Sequence, residues 1–507
     1  MSTFKKLAGD TALYGISTIL GRLLNYVLVP LQTYVFKQPA QLSSNVELYS
    51  YVAVLMTFYT LGLETAFFRF AARNKDKKAE VFNETLTIIL VISLLFSGLI
   101  IGFSHQVAIW LDYPGQERFI RWVALLVAID AIMAIPFARL RVENKAKQFV
   151  AAKMINITLV VLLNVFFLVF CRDIYNGQYL PGLRPIISVI YDPSIGPGYI
   201  FLANLIGNAC YFILLRKAFS GFRPQLAWPQ IKALLIYSFP IMLTSLAGLV
   251  TNVTDRLFLR QLLPEGFYEG LTSEDALGIY GNCYKLSVFM ALAIQSFKFA
   301  ADPFFFSQAE DKNAPGLLAD VTKWFVIVCV LIWVGVSLNL DVFGLFLSAR
   351  YRSGLDVVPV LLLANLFLGV YYNISFWFKL SDKTTYGTII TVVGAIVVII
   401  LNVWLIPQIG YMGCAIAFLA SSFVMMSLCY VLGEKYYPVP YHVGSAFGYI
   451  LGAGVLIYGC WLFPIDNVWI AIPVHLTLFV VFVLITLFIE RDTFQPLFIR
   501  LRSRVSS

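Results

Sequence analysis

Apolar stretches of about 20 residues or more recur from residue 10 to residue 489, separated by short polar turns. Lipid offers no partners to backbone N–H and C=O groups, so stretches of this length predict membrane-spanning α-helices. Fourteen are predicted, near residues 10–36, 46–70, 84–107, 118–138, 151–171, 198–217, 231–260, 276–303, 321–340, 355–378, 385–406, 411–432, 443–463 and 467–489. No intervening stretch is polar and long enough to fold outside the bilayer, so the expected class is an all-α polytopic membrane protein. The longest loop, 172–197, is too small for an external catalytic domain.

The even count places both termini on one side, and the cations say which. Lys5, Lys6, Arg69, Arg73, Lys75, Lys77, Lys78, Arg139, Arg141, Lys145, Lys147 and the tail Arg500, Arg502 and Arg504 share that side, whereas Lys37, Arg118, Arg121, Arg172, Arg184, Arg350 and Arg352 fall opposite. Short cytoplasmic loops carry the excess of Lys and Arg, so both termini are expected in the cytoplasm. The net charge of +9 therefore speaks to topology, and no nucleic-acid partner is read from it. The segment after Lys6 contains Asp10 and Arg22 and lacks a cleavage pattern, so it is expected to remain as the first span.

Composition narrows the chemistry. The chain has 507 residues, 60% of them hydrophobic and 13% charged, with a mean hydropathy of +0.81. Soluble domains run near 45–50% apolar and about 25% charged, so a soluble enzyme, a secreted disulfide scaffold and a disordered binder are excluded. The seven cysteines lie in apolar runs without a C-x-x-C pair, and His105, His442 and His475 are scattered singly, so no metal or cofactor is expected. Phosphate-loop, serine-hydrolase and zinc-protease motifs are absent, and the chain is not expected to be an enzyme.

An internal repeat organises the spans. Residues 141–164 (RVENKAKQFVAAKMINITLVVLLN) align without a gap on 379–402 (KLSDKTTYGTIITVVGAIVVIILN), and FRFAA at Phe68 to Ala72 recurs as FKFAA at Phe297 to Ala301. The register makes residues 1–225 an N-lobe of spans 1 to 6 and 226–435 a C-lobe of spans 7 to 12, with spans 13 and 14 and a basic tail in 436–507. Six is even, so the two pseudo-symmetric six-helix lobes run in the same direction about an axis near the membrane normal, an arrangement that places a solute path between them.

Charges inside spans mark the candidate site, because one near mid-bilayer costs at least about 2.5 kcal/mol unless it is paired or hydrated. Thr11, Tyr14, Thr18, Arg22, Asn25 and Gln32 line one face of span 1, and Asn252, Asp255, Arg256 and Arg260 crowd span 7 beside Lys285 of span 8. Arg22, Arg256 and Lys285, with Asn25 and Asn252, are the candidates for a cationic cavity, since a guanidinium fork matches phosphate oxygens. Glu64, Asp130 and Asp255 are either sites for a coupling ion, H+ or Na+, or counter-ions: Asp255 for Lys285, and Glu64 or Asp130 for Arg22. Arg260 and Lys298 are expected to snorkel to opposite interfaces. Pro30 and Pro240 are candidate hinges.

Residues 351–426 resemble the C-terminal region of bacterial polysaccharide and O-antigen flippases, the Wzx-type members of the multidrug/oligosaccharidyl-lipid/polysaccharide exporter superfamily. The most telling run is NVWLIPQIGYMGCAIA, Asn402 to Ala417, in which Pro407 and Gly410 suit a tight turn and Gly413, Ala415 and Ala417 permit close helix contact. The fourteen spans in two lobes also fit that superfamily and its lipid II flippases. The resemblance implies a V-shaped bundle in the bacterial cytoplasmic membrane that moves an isoprenoid diphosphate-linked oligosaccharide to the outer leaflet by alternating access, for cell-surface polysaccharide assembly. It also implies cationic cavity residues on the first spans and span 8, which Arg22 and Lys285 match by position. Membrane lipids, the lipid-linked oligosaccharide and other glycan assembly proteins are the implied partners. A cation-coupled drug antiporter of the same superfamily and a non-transporting scaffold of a glycan assembly complex are the alternatives.

Overall fold

The structure is a computed structural model that describes residues 19–491 apart from 22, 24, 25, 74–76, 144, 308–313, 382, 384 and 466. Twelve helices among the described residues are long and apolar enough to cross a membrane, thirteen when the bent pair Ser273–Leu286 and Val288–Lys298 counts as one. The protein is a multi-pass, all-α membrane protein, and the remaining expected span, 10–36, is described only in part, at residues 19–21, 23 and 26–36.

Helix α1 runs through residues 26–35, and the second span follows as α2, Pro39–Thr60, and α3, Leu63–Arg73. Leu61 and Gly62 separate them with φ of 47° and 70°. Glycine at 62 has two reasons: the left-handed backbone, and a Cβ that would lie 2.8 Å from the Ser238 carbonyl oxygen. The first lobe continues with α4 (Lys78–Gly102), α5 (Glu117–Val142), α6 (Ala146–Val165) and α7 (Tyr199–Ala209). A six-residue π-helical stretch, Phe166–Cys171, carries α6 onward to Tyr175.

Helix α8, Trp228–Leu262, is the longest described element and joins the lobes. It is followed by α9 (Ser273–Leu286), α10 (Val288–Ser307), α11 (Ala314–Leu338), α12 (Val357–Ile374), α13 (Thr385–Ile409), α14 (Tyr411–Tyr436), α15 (Val443–Leu462) and α16 (Val468–Ile489). A capping box starts α9, with the Thr272 hydroxyl accepting from the Asp275 N–H and the Asp275 carboxylate accepting in return. The α9 and α10 axes differ by 43°, so spans 2 and 8, which the repeat pairs, are both broken. At the α13–α14 turn Gly410 has a φ of 60°, Gly413 packs on the Leu405 backbone of α13, and Ala415 and Ala417 are buried along α14.

Two cores form. One gathers Tyr59, Phe67, Phe82, Leu86, Val127, Ile135 and Phe201, and takes in Ile231 and Leu234 from the first turns of α8. The other gathers Tyr280, Met290, Val330, Leu361, Trp377, Ile390 and Phe418, and takes in Val29, Phe36, Leu42, Phe167 and Tyr199 from the first half of the chain. The lobe boundary expected near residue 226 falls just ahead of α8, a helix that begins in the first core and ends in the second. The repeated asparagines Asn164 and Asn402 are both fully buried. Helices α15 and α16 touch the rest of the bundle along α11, where Lys323 bonds Glu490 at 2.7 Å and Phe479 covers Gly335.

Candidate functional site

The helices alternate in direction, so their turns gather at two ends. At one, the basic end, Arg139 bonds the Ala218 and Ser220 carbonyls, Arg69 lies over Tyr237, and Lys323 meets Glu490. The opposite end is sealed. Tyr351 donates to the Phe36 carbonyl at 2.6 Å, the Ala40 N–H donates to Asp275 at 3.0 Å, and Gly278 packs on the Pro39 backbone.

Arg260, in the last turn of α8, is the charged centre of that seal. Its Nε lies 3.0 Å from Oε2 of Glu47, Glu274 and Asp112 stand 3.6 and 3.9 Å from its Nη1, its other amine donates to the Leu111 carbonyl, and Tyr113 stacks at 4.3 Å. Tyr113 also donates to Glu47 at 2.7 Å. Both Arg260 and Glu47 are buried. The expectation that Arg260 snorkels to an interface is therefore corrected: carboxylates on α2, α9 and the 111–113 loop hold it inside. Glu47, which the sequence reading passed over, is the main counter-ion. Its signal was a carboxylate at the start of a predicted span.

Beneath the seal lies a cavity of about 470 Å³ between the two halves. Tyr26, Val29 and Gln32 of α1, Asn45, Tyr49 and Ser50 of α2, Asn204 of α7, Arg256 of α8, and Tyr284 and Lys285 of α9 form its wall. Two of the sequence-predicted cations, Arg256 and Lys285, meet here. Arg256 donates to the Asn252 carbonyl, lies 3.3 Å from Asp255 and stacks 4.3 Å from the Tyr284 ring centre. Lys285 donates to the Asn282 amide oxygen at 3.0 Å, and no described carboxylate pairs with it. Asp255 is buried away from the cavity, its second oxygen accepting from Tyr280 at 2.5 Å. The chamber thus has a net cationic wall with hydroxyls, amides and aromatic faces around it, able to hold a phosphate and sugar hydroxyls together.

The remaining candidates are dispersed. Arg22 and Asn25 lie outside the described residues. Asn252 sits one turn from Arg256 with its amide turned to the Gly248 carbonyl at 2.7 Å, off the cavity wall. Glu64 pairs with Arg141 at the basic end, and Asp130 accepts from Asn208 at 2.7 Å inside the first lobe. The expected Asp255–Lys285 pair does not form, because the adjacent Arg256 and Tyr280 take both carboxylate oxygens. Lys298 lies 4.0 Å from the Tyr372 ring. Pro240 is within α8 and Pro30 within α1.

A family model for polysaccharide biosynthesis proteins matches residues 47–175. That is from within α2 to the end of the fifth span, a region apart from residues 351–426, which carry the resemblance in sequence. No curated protein matches the chain by sequence. Among solved structures, the lipid II flippase MurJ in an inward closed conformation superposes with a TM-score of 0.69 over 96% of this chain and 100% of its own, at 15% identity. An inward-facing multidrug resistance MATE family transporter of the MOP superfamily gives 0.58 over 82% and 94%, at 12% identity. A mutant of the Vibrio cholerae MATE transporter VcmN gives 0.58 over 86% and 98%, also at 12%. The fold is that of the MurJ and MATE transporters. The matched segment supplies Tyr49 and Ser50 of the wall around the cavity of Arg256 and Lys285.

Proposed function

We propose that the protein is a flippase that moves an isoprenoid diphosphate-linked oligosaccharide across the bacterial cytoplasmic membrane by alternating access, for cell-surface polysaccharide assembly. The observation that carries the reading is the interlobe cavity in which Arg256 and Lys285 face polar and aromatic walls under a sealed end. A diphosphate drawn into the bilayer needs cations to replace its hydration, and α8 and α9 supply them opposite the polar residues of α1, α2 and α7. With both termini in the cytoplasm, the orientation that the basic loops favour, the seal faces outward and the cavity receives substrate from the inner leaflet. Separating Glu47 from Arg260 then opens the outer path. A drug antiporter handling organic cations is disfavoured by the positive wall.

The test is transfer of a fluorescent isoprenoid diphosphate oligosaccharide across proteoliposomes. Wild type is expected to move it, and Lys285→Ala and Arg256→Ala to lose movement, Lys285→Ala while keeping its thermal stability. Transfer undiminished in both variants would reject the cavity as the diphosphate site. Transport of organic cations without glycan transfer would favour the antiporter, and no transport of either would favour the scaffold.

A further inference from the structure

A second cavity, about 520 Å³, opens at the basic end between α3 and the first half of α8. Arg69, Phe70 and Arg73 form one wall, and Tyr237, Pro240 and Ile241 are part of the other. Arg69 and Arg73 are four residues apart and share a helical face. The Arg69 guanidinium lies 4.2 Å from the Tyr237 ring centre, which orients it without neutralising it, and no described carboxylate pairs with either arginine. This site is apart from the interlobe chamber, and neither arginine has a place in the proposed transport cavity.

The helix below the arginines carries the complementary feature. Ile236, Phe239 and Leu243 are 64%, 55% and 46% exposed and follow one another at spacings of three and four along α8. Lys232, also exposed, lies one turn before Ile236 on that face, and Trp228 at the helix start is 70% exposed. Cations and an indole at one level, with an apolar track running from them into the span, match an amphiphile with an anionic head and hydrocarbon tail. Basic pockets between spanning helices at this depth suit lipid phosphates.

We propose that the pocket of Arg69 and Arg73 seats the phosphate head of an anionic membrane lipid, whose chain lies along Ile236, Phe239 and Leu243. Because Gly62, two turns before Arg69, packs against the Ser238 carbonyl and Ile241, such a lipid clamps the inner half of α8 to the broken second span. The proposal requires only the membrane-spanning fold, and holds whether or not the interlobe cavity carries a glycan lipid.

The experiment uses the full chain in nanodiscs of phosphatidylcholine with and without one-fifth phosphatidylglycerol, read by native mass spectrometry for retained lipid and by thermal unfolding. Wild type is expected to retain phosphatidylglycerol and unfold at higher temperature in its presence. At about 1 kcal/mol per basic residue, each arginine removed weakens retention about fivefold. Arg69→Ala with Arg73→Ala loses both effects, while Arg69→Lys with Arg73→Lys keeps the charge and part of the binding, which separates head-group loss from misfolding. Displacement of phosphatidylglycerol by a polyprenyl phosphate assigns the seat to a carrier lipid, and resistance assigns it to a resident phospholipid; both support a lipid phosphate. Equal retention by wild type and the double alanine variant overturns the proposal, as does full reproduction of the stabilisation by inorganic phosphate in phosphatidylcholine discs.

Discussion

Arg256 and Arg260 stand one turn apart on α8 and are both largely shielded from solvent, yet they live in opposite electrostatic settings. Arg260 is met by Glu47, Glu274 and Asp112, drawn from both halves of the chain, and leaves no room for another anion. Arg256 has the single carboxylate of its neighbour Asp255, which Tyr280 shares, and the adjacent Lys285 has none. Burial therefore does not distinguish a structural cation from a ligand-binding one; the count of opposing charges within reach does. One turn of helix separates a latch from a candidate receptor.

The strongest way to break this comparison is at the latch. Arg260→Met leaves Glu47 buried without its cation, an imbalance of about 3–5 kcal/mol. The sealed end is expected to open, measured as labelling of a Ser44→Cys reporter by a membrane-impermeant thiol reagent. Adding Glu47→Gln to Arg260→Met should recover much of the protection, and a double variant as open as the single would show that the pair does not hold the seal. In the cavity the expected effect is smaller and of another kind. Lys285→Ala should cut glycan-lipid transfer about tenfold or more, the loss of one hydrogen bond to a charged group being about 1.5–3 kcal/mol, with reporter labelling unchanged. Lys285→Arg should retain transfer, and labelling that rises with Lys285→Ala would show that cavity and seal are not separable.

Gly62→Ala probes the contact between the second span and α8, the helix that carries both arginines. A left-handed backbone costs a non-glycine residue about 1–2 kcal/mol, and the added Cβ would press on the Ser238 carbonyl, so the melting temperature should fall and the labelling pattern shift. Unchanged melting would mean that α8 moves aside freely. Last comes Asn208→Ala, which removes a hydrogen bond to Asp130 and one from Asn156, about 1 kcal/mol each in stability, with the sealed end unaffected. A large change in transfer from this variant would instead implicate Asp130 in coupling.

The spans were legible because a bilayer demands continuous apolar length, and that demand is local in the chain. Predicted spans near 411–432 and 443–463 correspond to α14 and α15 for this reason. The breaks at Leu61–Gly62 and Ser287 were not, since hydropathy runs straight through them, a single glycine or serine does not by itself end a spanning helix, and the packing of other helices decides where they yield. Arg256 and Lys285 were found by the cost of a charge in lipid. The same rule flagged Arg260 without revealing Glu47, whose partner lies more than two hundred residues away.

What the sequence determined by itself is the all-α membrane class, the approximate span count and the set of charges that a bilayer cannot leave alone, all consequences of short-range composition. The tertiary structure decided which of those charges neutralise one another. It set Arg260 against three carboxylates and left Lys285 on a cavity wall, because Coulomb attraction depends on distances that only the crossing of α2, α8 and α9 establishes.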